Sequence, residues 1–346
     1  MRQNVRIGRL DDFKWIAAFL VAAIHTSPLE SVNATADFIL TRVLARVAVP
    51  FFMMVTGCFV LYAAVEEGSF QRIWRSLKKI GFLYLAVTLL YLPVQVYKLT
   101  GKEAALSIQA LCRAVFFDGT YYHLWYLPAV MIGLPICWLL LRSVGRYAYV
   151  IAGVLYAIGL LGDSYHGLAC RIPMLDKMYE SMFRLFSQTR NGLFFAPLFL
   201  LLGYRAALGR RERSAEKSKC SFFLCLLLMC VEGLLLHGNT EQVNNSMYLF
   251  LPVCMIFLFD ALLSGAAVWD VRRGMFYKTG PMLFYFLHPL IILIIRMFVK
   301  LTKLNFILEM SPIYYLAVVA GSLCAAYICL TVFQRVRQIR KGRKGK

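Results

Sequence analysis

The stretch DDFKWIAAFLVAAIHTSPL, residues 11 to 29, decides the fold class. Behind two aspartates and Lys14 it runs apolar until His25. A segment of this length and low charge, wound as a helix, suits the roughly 30 Å hydrocarbon layer of a bilayer. Eleven residues separate Lys14 from His25, an advance of about 16 Å and a rotation of about 1100°, close to three full turns. Both side chains therefore fall on one face. Either is costly in hydrocarbon, and such residues face a protein interior or a water-filled cavity. Two readings stand at this point. The stripe is a chemical device, offering a cation to an anionic ligand at one end and a proton-accepting imidazole at the other. Alternatively, it is a helix with a snorkelling lysine and an interfacial histidine beside Ser27-Pro28.

The pattern repeats along the chain. Ten apolar runs of low charge occupy roughly 11–29, 43–64, 79–98, 122–141, 147–162, 191–208, 220–237, 246–264, 280–299 and 313–334. The 346 residues are 60% hydrophobic with a mean hydropathy of +0.65, above the range of soluble domains. The expectation is an all-α, polytopic integral membrane protein with about ten transmembrane helices. The first run lacks a small-x-small exit site and reads as a span, not a cleaved signal. The longest gap between spans is 163–190, so residues 1–337 are expected to form one transmembrane domain, followed by a polybasic tail at 338–346.

The net charge of +20 is distributed by side. With the N-terminus in the cytoplasm, the inner segments hold 26 of the 38 Lys and Arg, the positive-inside pattern with both termini cytoplasmic. That basic face suits an anionic lipid surface. Nucleic acid would need a basic groove interleaved with aromatics, which the sequence lacks. The ten cysteines include no CxxC pair and sit mostly in or beside apolar spans, as packing residues do. Cys112 and Cys170 fall in outer segments. The five histidines are scattered, so no metal site is expected.

Between the fifth and sixth spans, MLDKMYESMFRLF (174–186) carries Met174, Met178 and Met182 at four-residue spacing, and Leu175, Tyr179 and Phe183 likewise. This predicts an amphipathic helix that lies on the outer membrane surface, lids a cavity, or simply packs as a loop helix.

Few other polar residues interrupt the spans. Arg75 and Lys79, in the basic stretch that opens the third span, share a helical face at i, i+4 and suit a phosphate-bearing anion, although for each residue alone positive-inside anchoring is the favoured reading. His123 lies in the aromatic belt YYHLWYLP (121–128). Arg190 and Asn191 open the sixth span in TRNGLFFAP (189–197). These three are candidate substrate-binding residues. Glu232, inside the seventh span, needs a partner such as Arg190 or a histidine. His288, in FYFLHPL, lies inside the ninth span, and the proline after it frees a backbone carbonyl that the histidine or a neighbour must satisfy.

The spacing of Lys14 and His25 in a first span, with VPFFMMVTG, RSLKK, YHLWYLPA, GDSYHGL, TRNGLFFAPLFLLLG, SMYLFLP and FYFLHP in this order, resembles the acyltransferase-3 family of bacterial membrane proteins. The likeness is closest to the membrane domain of vancomycin-resistance-type serine racemases and covers most of the chain. The resemblance implies transfer of an acyl group, usually acetyl from cytoplasmic acetyl-CoA, to a hydroxyl of a cell-envelope carbohydrate or similar acceptor, at the bacterial cell membrane. Carried over by motif, His25 is the essential base, and Lys14 with Arg75 and Lys79 engages the donor. Glu232 and His288 are further catalytic candidates. No tightly bound cofactor is implied.

Two departures qualify the likeness. The sequence ends at Lys346 without room for a soluble racemase domain or an extracytoplasmic esterase-like domain, so racemisation by this polypeptide is not expected. The family's usual arginine at the first motif position is Lys14 here, which keeps the charge and loses planar bidentate contact with phosphate. The alternatives are a carrier of a small amino acid such as serine, or a membrane subunit that partners a separate racemase or envelope enzyme.

Overall fold

The computed structural model describes residues 8–99, 107–209, 214–264 and 274–344. Several basic positions of the expected inner face lie outside them: Arg2, Arg6, Arg210, Arg211, Arg213, Arg272, Arg273 and Lys346, with the tail side chains from 340 onward. Among the described residues the structure is helical throughout, without strands. The principal helices are α1 (Gly8–Thr26), α2 (Ala34–Glu66), α3 (Phe70–Leu99), α4 (Tyr126–Ser143), α5 (Ala148–Leu161), α6 (Pro173–Leu185), α7 (Ala196–Leu208), α8 (Ala215–Asn239), α9 (Leu251–Leu263), α10 (Met275–Thr302) and α11 (Ser311–Lys344). Six of them, α2, α3, α4, α8, α10 and α11, are long and apolar enough to cross a membrane.

The chain divides into two units, Met1–Ala48 with Gly265–Lys346, and Val49–Ser264. In the first, α1, α10 and α11 pack on one another. Ala17, Ala18, Ala22 and Ala23 are all but fully buried, and small residues let helices approach closely where water-driven burial is weak. Trp15, Ala18, Ala22 and Phe284 form the buried cluster, with Phe19, Phe276, Tyr277 and Tyr315 against it. Prolines 281 and 289 interrupt α10. Each removes an N–H and strands the carbonyl four residues earlier, at Tyr277 and at Tyr285. Aromatic rings claim both. Trp15 Nε1 donates to the Tyr277 carbonyl at 3.2 Å, and the ring of His288 bonds the Tyr285 carbonyl.

In the second unit, α2 and α7 meet backbone to backbone. A β-carbon on Gly57 would lie 2.0 Å from the Leu200 carbonyl oxygen, and one on Gly203 would lie 2.1 Å from that of Met54. Only glycine fits at either place. Helices α7 and α9 are shorter than their apolar runs. The spans expected from 191 and from 246 begin as helix only at Ala196 and Leu251, because the backbone before each is held by side chains. Asn191 Oδ1 accepts from the amides of Leu193 (2.9 Å) and Phe194 (3.2 Å). Asp163 Oδ1 accepts from those of Ser246 (2.6 Å) and Met247 (3.2 Å). The expected helix at 174–186 forms as α6; Tyr179 is its buried anchor, donating to the Ile158 carbonyl at 2.7 Å, while Met174 and Leu185 are exposed.

Candidate functional site

The first unit gathers the chemistry. A single helix, α1, carries Lys14 near its start and His25 one residue before its end. The chain then turns through Ser27, whose φ of 47° lies in the left-handed region that non-glycine residues rarely adopt. From α10, His288 stacks on His25, with ring centroids 5.5 Å apart and planes 24° apart. His288 is fully buried and His25 partly exposed. His288 also stacks on Phe284, at 6.1 Å and 15°. Its Nδ1 lies 3.3 Å from the Phe284 carbonyl, and a carbonyl only accepts. Nδ1 therefore carries the proton, leaving Nε2 with the lone pair. This is an imidazole pair built from helices distant in sequence, with one tautomer fixed by the backbone.

At the opposite end of α1, Lys14 Nζ lies 2.6 Å from Asp11 Oδ1 in an i, i+3 ion pair, so its charge is already shared. Tyr277 donates to Asp12, fastening the same end of α1 to α10. The face that joins Lys14 to His25 is thus anchored at both ends, and its imidazole end is the part that acquires a partner.

The remaining candidates lie in the second unit. Glu232 is buried on α8, and its carboxylate accepts from the amides of Leu249 (2.6 Å) and Phe250 (3.1 Å) and from the Tyr165 hydroxyl (2.8 Å). Its partners are neither Arg190 nor a histidine but the Tyr165 hydroxyl and the amides of the two residues that lead into α9. Arg190 stacks over Trp125 at 4.3 Å and donates to Ser246 Oγ and Gln188 Oε1, each at 3.0 Å. Asn191 is wholly buried, its amide employed within its own turn. His123 is 1% exposed, edge-on to Tyr91, Tyr121 and Tyr122 at 5.2 to 5.6 Å. Arg75 and Lys79 are exposed on α3, and Arg75 donates to the neutral Gln71 at 3.1 Å.

Among the described residues, four buried charged side chains escaped the sequence reading, Asp37 between two runs and, beyond it, Arg46, Asp163 and Asp260. The last three lie in or beside an apolar run, and the rule that singled out Glu232 applies to them.

Long apolar helices and ionisable groups buried between them define an integral membrane protein. A model of the acyltransferase-3 family, described as an acyltransferase domain, matches residues 7–331, and the chain belongs to that family. An amino-acid racemase from Enterococcus faecalis is 37% identical over 337 residues, covering 96% of this chain and 47% of its own length. A second amino-acid racemase from the same organism is 40% identical over 265 residues, 76% of this chain and 37% of its own. A serine/alanine racemase from Enterococcus gallinarum is 36% identical over 332 residues, 94% and 46%. The chain spans about half the length or less of these curated relatives. No solved structure matches it significantly.

Proposed function

We propose that the chain moves an acyl group from acyl-CoA to a hydroxyl of a cell-envelope acceptor, with His25 as general base. The stacked His25–His288 pair supports this reading above all. His25, the more accessible ring, takes the proton of the acceptor hydroxyl, and the oxygen attacks the thioester carbonyl. Collapse of the tetrahedral adduct breaks the C–S bond, and the imidazolium returns the proton to the departing thiolate, giving ester and free CoA. His288 holds the His25 ring in place by stacking and sets one side of its surroundings. Acetyl-CoA is the proposed donor, with its phosphates engaged by Arg75 and Lys79. Lys14 contributes less, because Asp11 shares its charge. In this reading the chain crosses a bacterial cell membrane ten times, with both termini in the cytoplasm, and Glu232 serves as a holding residue.

The test is turnover by purified protein in liposomes with labelled acetyl-CoA and an acceptor. Wild type should release CoA and form an ester. His25→Ala should lower the rate by about 10²–10⁴-fold while leaving the melting transition in place. Full activity in that variant would overturn the base assignment.

A second reading has its own observation. Two shortened helices, α7 and α9, each follow a non-helical segment, at 186–195 and 240–250, and broken spans of this kind line the sites of many carriers. With racemases among the relatives, the cargo would be a small amino acid. Uptake of labelled serine into liposomes, without release of CoA from acetyl-CoA, would favour carriage over transfer.

A further inference from the structure

The connection between α5 and α7 carries a surface that acyl transfer leaves unused. Helix α6 has three sides, where a helix on a water-facing surface has two. At about 100° per residue, Leu175, Met182 and Phe183 fall within about 60° of the buried Tyr179, and all three are half-buried. Met174, Met178 and Leu185 lie about 100–140° to one side of Tyr179 and are 78%, 38% and 61% exposed. Lys177, Glu180 and Arg184 lie about 100–160° to the other side and are exposed as well. The methionines at four-residue spacing drift by about 40° per step, which turns Met182 inward and leaves Met174 and Met178 out. An apolar stripe thus runs beside a charged one, both uncovered among the described residues.

Two attachments set the height of α6. The Tyr179 hydroxyl donates to the Ile158 carbonyl in the last turn of α5. Shortly before α6, the Gly167 amide donates to the Glu241 carbonyl at 2.9 Å, just past the end of α8. That end marks a boundary. From Phe223 to Leu235 every exposed side chain of α8 is apolar, as lipid contact requires, and His237, Asn239 and Glu241 follow, exposed and polar. We propose that α6 lies along this boundary as an interfacial helix whose partner is the phospholipid leaflet. Met174, Met178 and Leu185 enter the acyl chains just below the headgroups, and Lys177 and Arg184 meet the phosphates. Because the two stripes run nearly the whole length of α6, the border between lipid and water follows the helix axis. The charged stripe is net positive, which suits an anionic lipid surface. A second copy of the chain is the weaker occupant, since three side chains fall short of the roughly 800 Å² per partner that a stable protein interface buries.

Spin labels placed one cysteine at a time test this, in liposomes of phosphatidylglycerol and phosphatidylethanolamine. The full chain is used, with its exposed and half-exposed native cysteines replaced by serine. The ratio of collisions with oxygen, which dissolves in acyl chains, to collisions with a water-soluble nickel chelate is the readout. It should be about threefold or more higher in M174C, M178C and L185C than in K177C and R184C. Equal ratios on the two stripes would overturn the proposal. So would low collision rates with both reagents at M174C and M178C, which mean a cover of protein; spin–spin broadening there would make that cover a second copy. Where the cysteine-depleted chain does not fold, p-benzoyl-phenylalanine at Met174 or at Lys177 of the otherwise native chain gives a second measurement. Irradiation in the same liposomes should yield about threefold more phospholipid adduct from position 174 than from 177, read by mass spectrometry of the intact protein. Equal adducts, or a cross-linked dimer in place of the lipid adduct, would overturn the assignment. None of these outcomes depends on acyl transfer.

Discussion

At the scale of single residues, the two prolines of α10 carry the most testable chemistry. Trp15 spans the gap opened by Pro281, and replacing it with phenylalanine keeps the aromatic packing while orphaning the Tyr277 carbonyl. Trp15→Phe should cost about 2 kcal/mol in an unfolding titration. Pro281→Ala restores the missing donor, so in that background the Trp15→Phe cost should shrink by about 1 kcal/mol. A double-mutant cycle with no coupling would refute the assignment. The carbonyl freed beside His288 was legible from the dipeptide His-Pro alone. The stacking of His288 on His25 was not, because no local pattern records which helices meet. Arg46 was missed for a different reason. Lying near the start of an apolar run, it reads as an anchor, and only its burial separates it from one.

At the scale of elements, apolar length foretold the helices better than their ends. The run from 246 begins as irregular chain because acceptors from elsewhere claim the amides there, Asp163 and Glu232 lying 83 and 17 residues away from the amides they hold, whereas at 191 the claim is local, made by the side chain of Asn191 on the amides just after it. Glu232→Gln should cost about 1–2 kcal/mol of stability, since a charged acceptor at a helix start is replaced by a neutral one. It should leave turnover within a few-fold of wild type. A large loss of rate without loss of stability would return Glu232 to the catalytic group. The glycine seam between α2 and α7 has no slack. Gly57→Ala or Gly203→Ala should each cost about 3 kcal/mol, read as a lowered melting midpoint. Beside α6, burial first and then the nearby Asp176 push the Cys170 thiol up to about 11. About one thiol in a thousand is then ionised at pH 8, so maleimide should label it about a hundredfold more slowly than an unperturbed thiol. Its labelling rate should keep rising with pH until about 11.

At the scale of the whole molecule, the all-helical architecture of the described residues was open to reading from composition and hydropathy, whereas the division into two units was not. Hydropathy reports on one segment at a time and says nothing about which segments share a core. The proposed orientation can be checked with the native thiols. In right-side-out vesicles, a membrane-impermeant maleimide should modify a variant whose only cysteine is Cys112, and should reach one whose only cysteine is Cys220 after permeabilisation alone; both side chains are exposed. The first unit is assembled from two segments more than 200 residues apart in sequence, and this sets an order of events during synthesis. His25 leaves the ribosome 263 residues ahead of His288, a wait of roughly 13–50 s at bacterial elongation rates of about 5–20 residues per second. Throughout that interval the nascent protein holds half of its imidazole pair. A chain cut short between α9 and residue 288 therefore reaches the membrane with α1 to α9 and none of the paired chemistry, so that assembly of the pair reports that synthesis has passed α10.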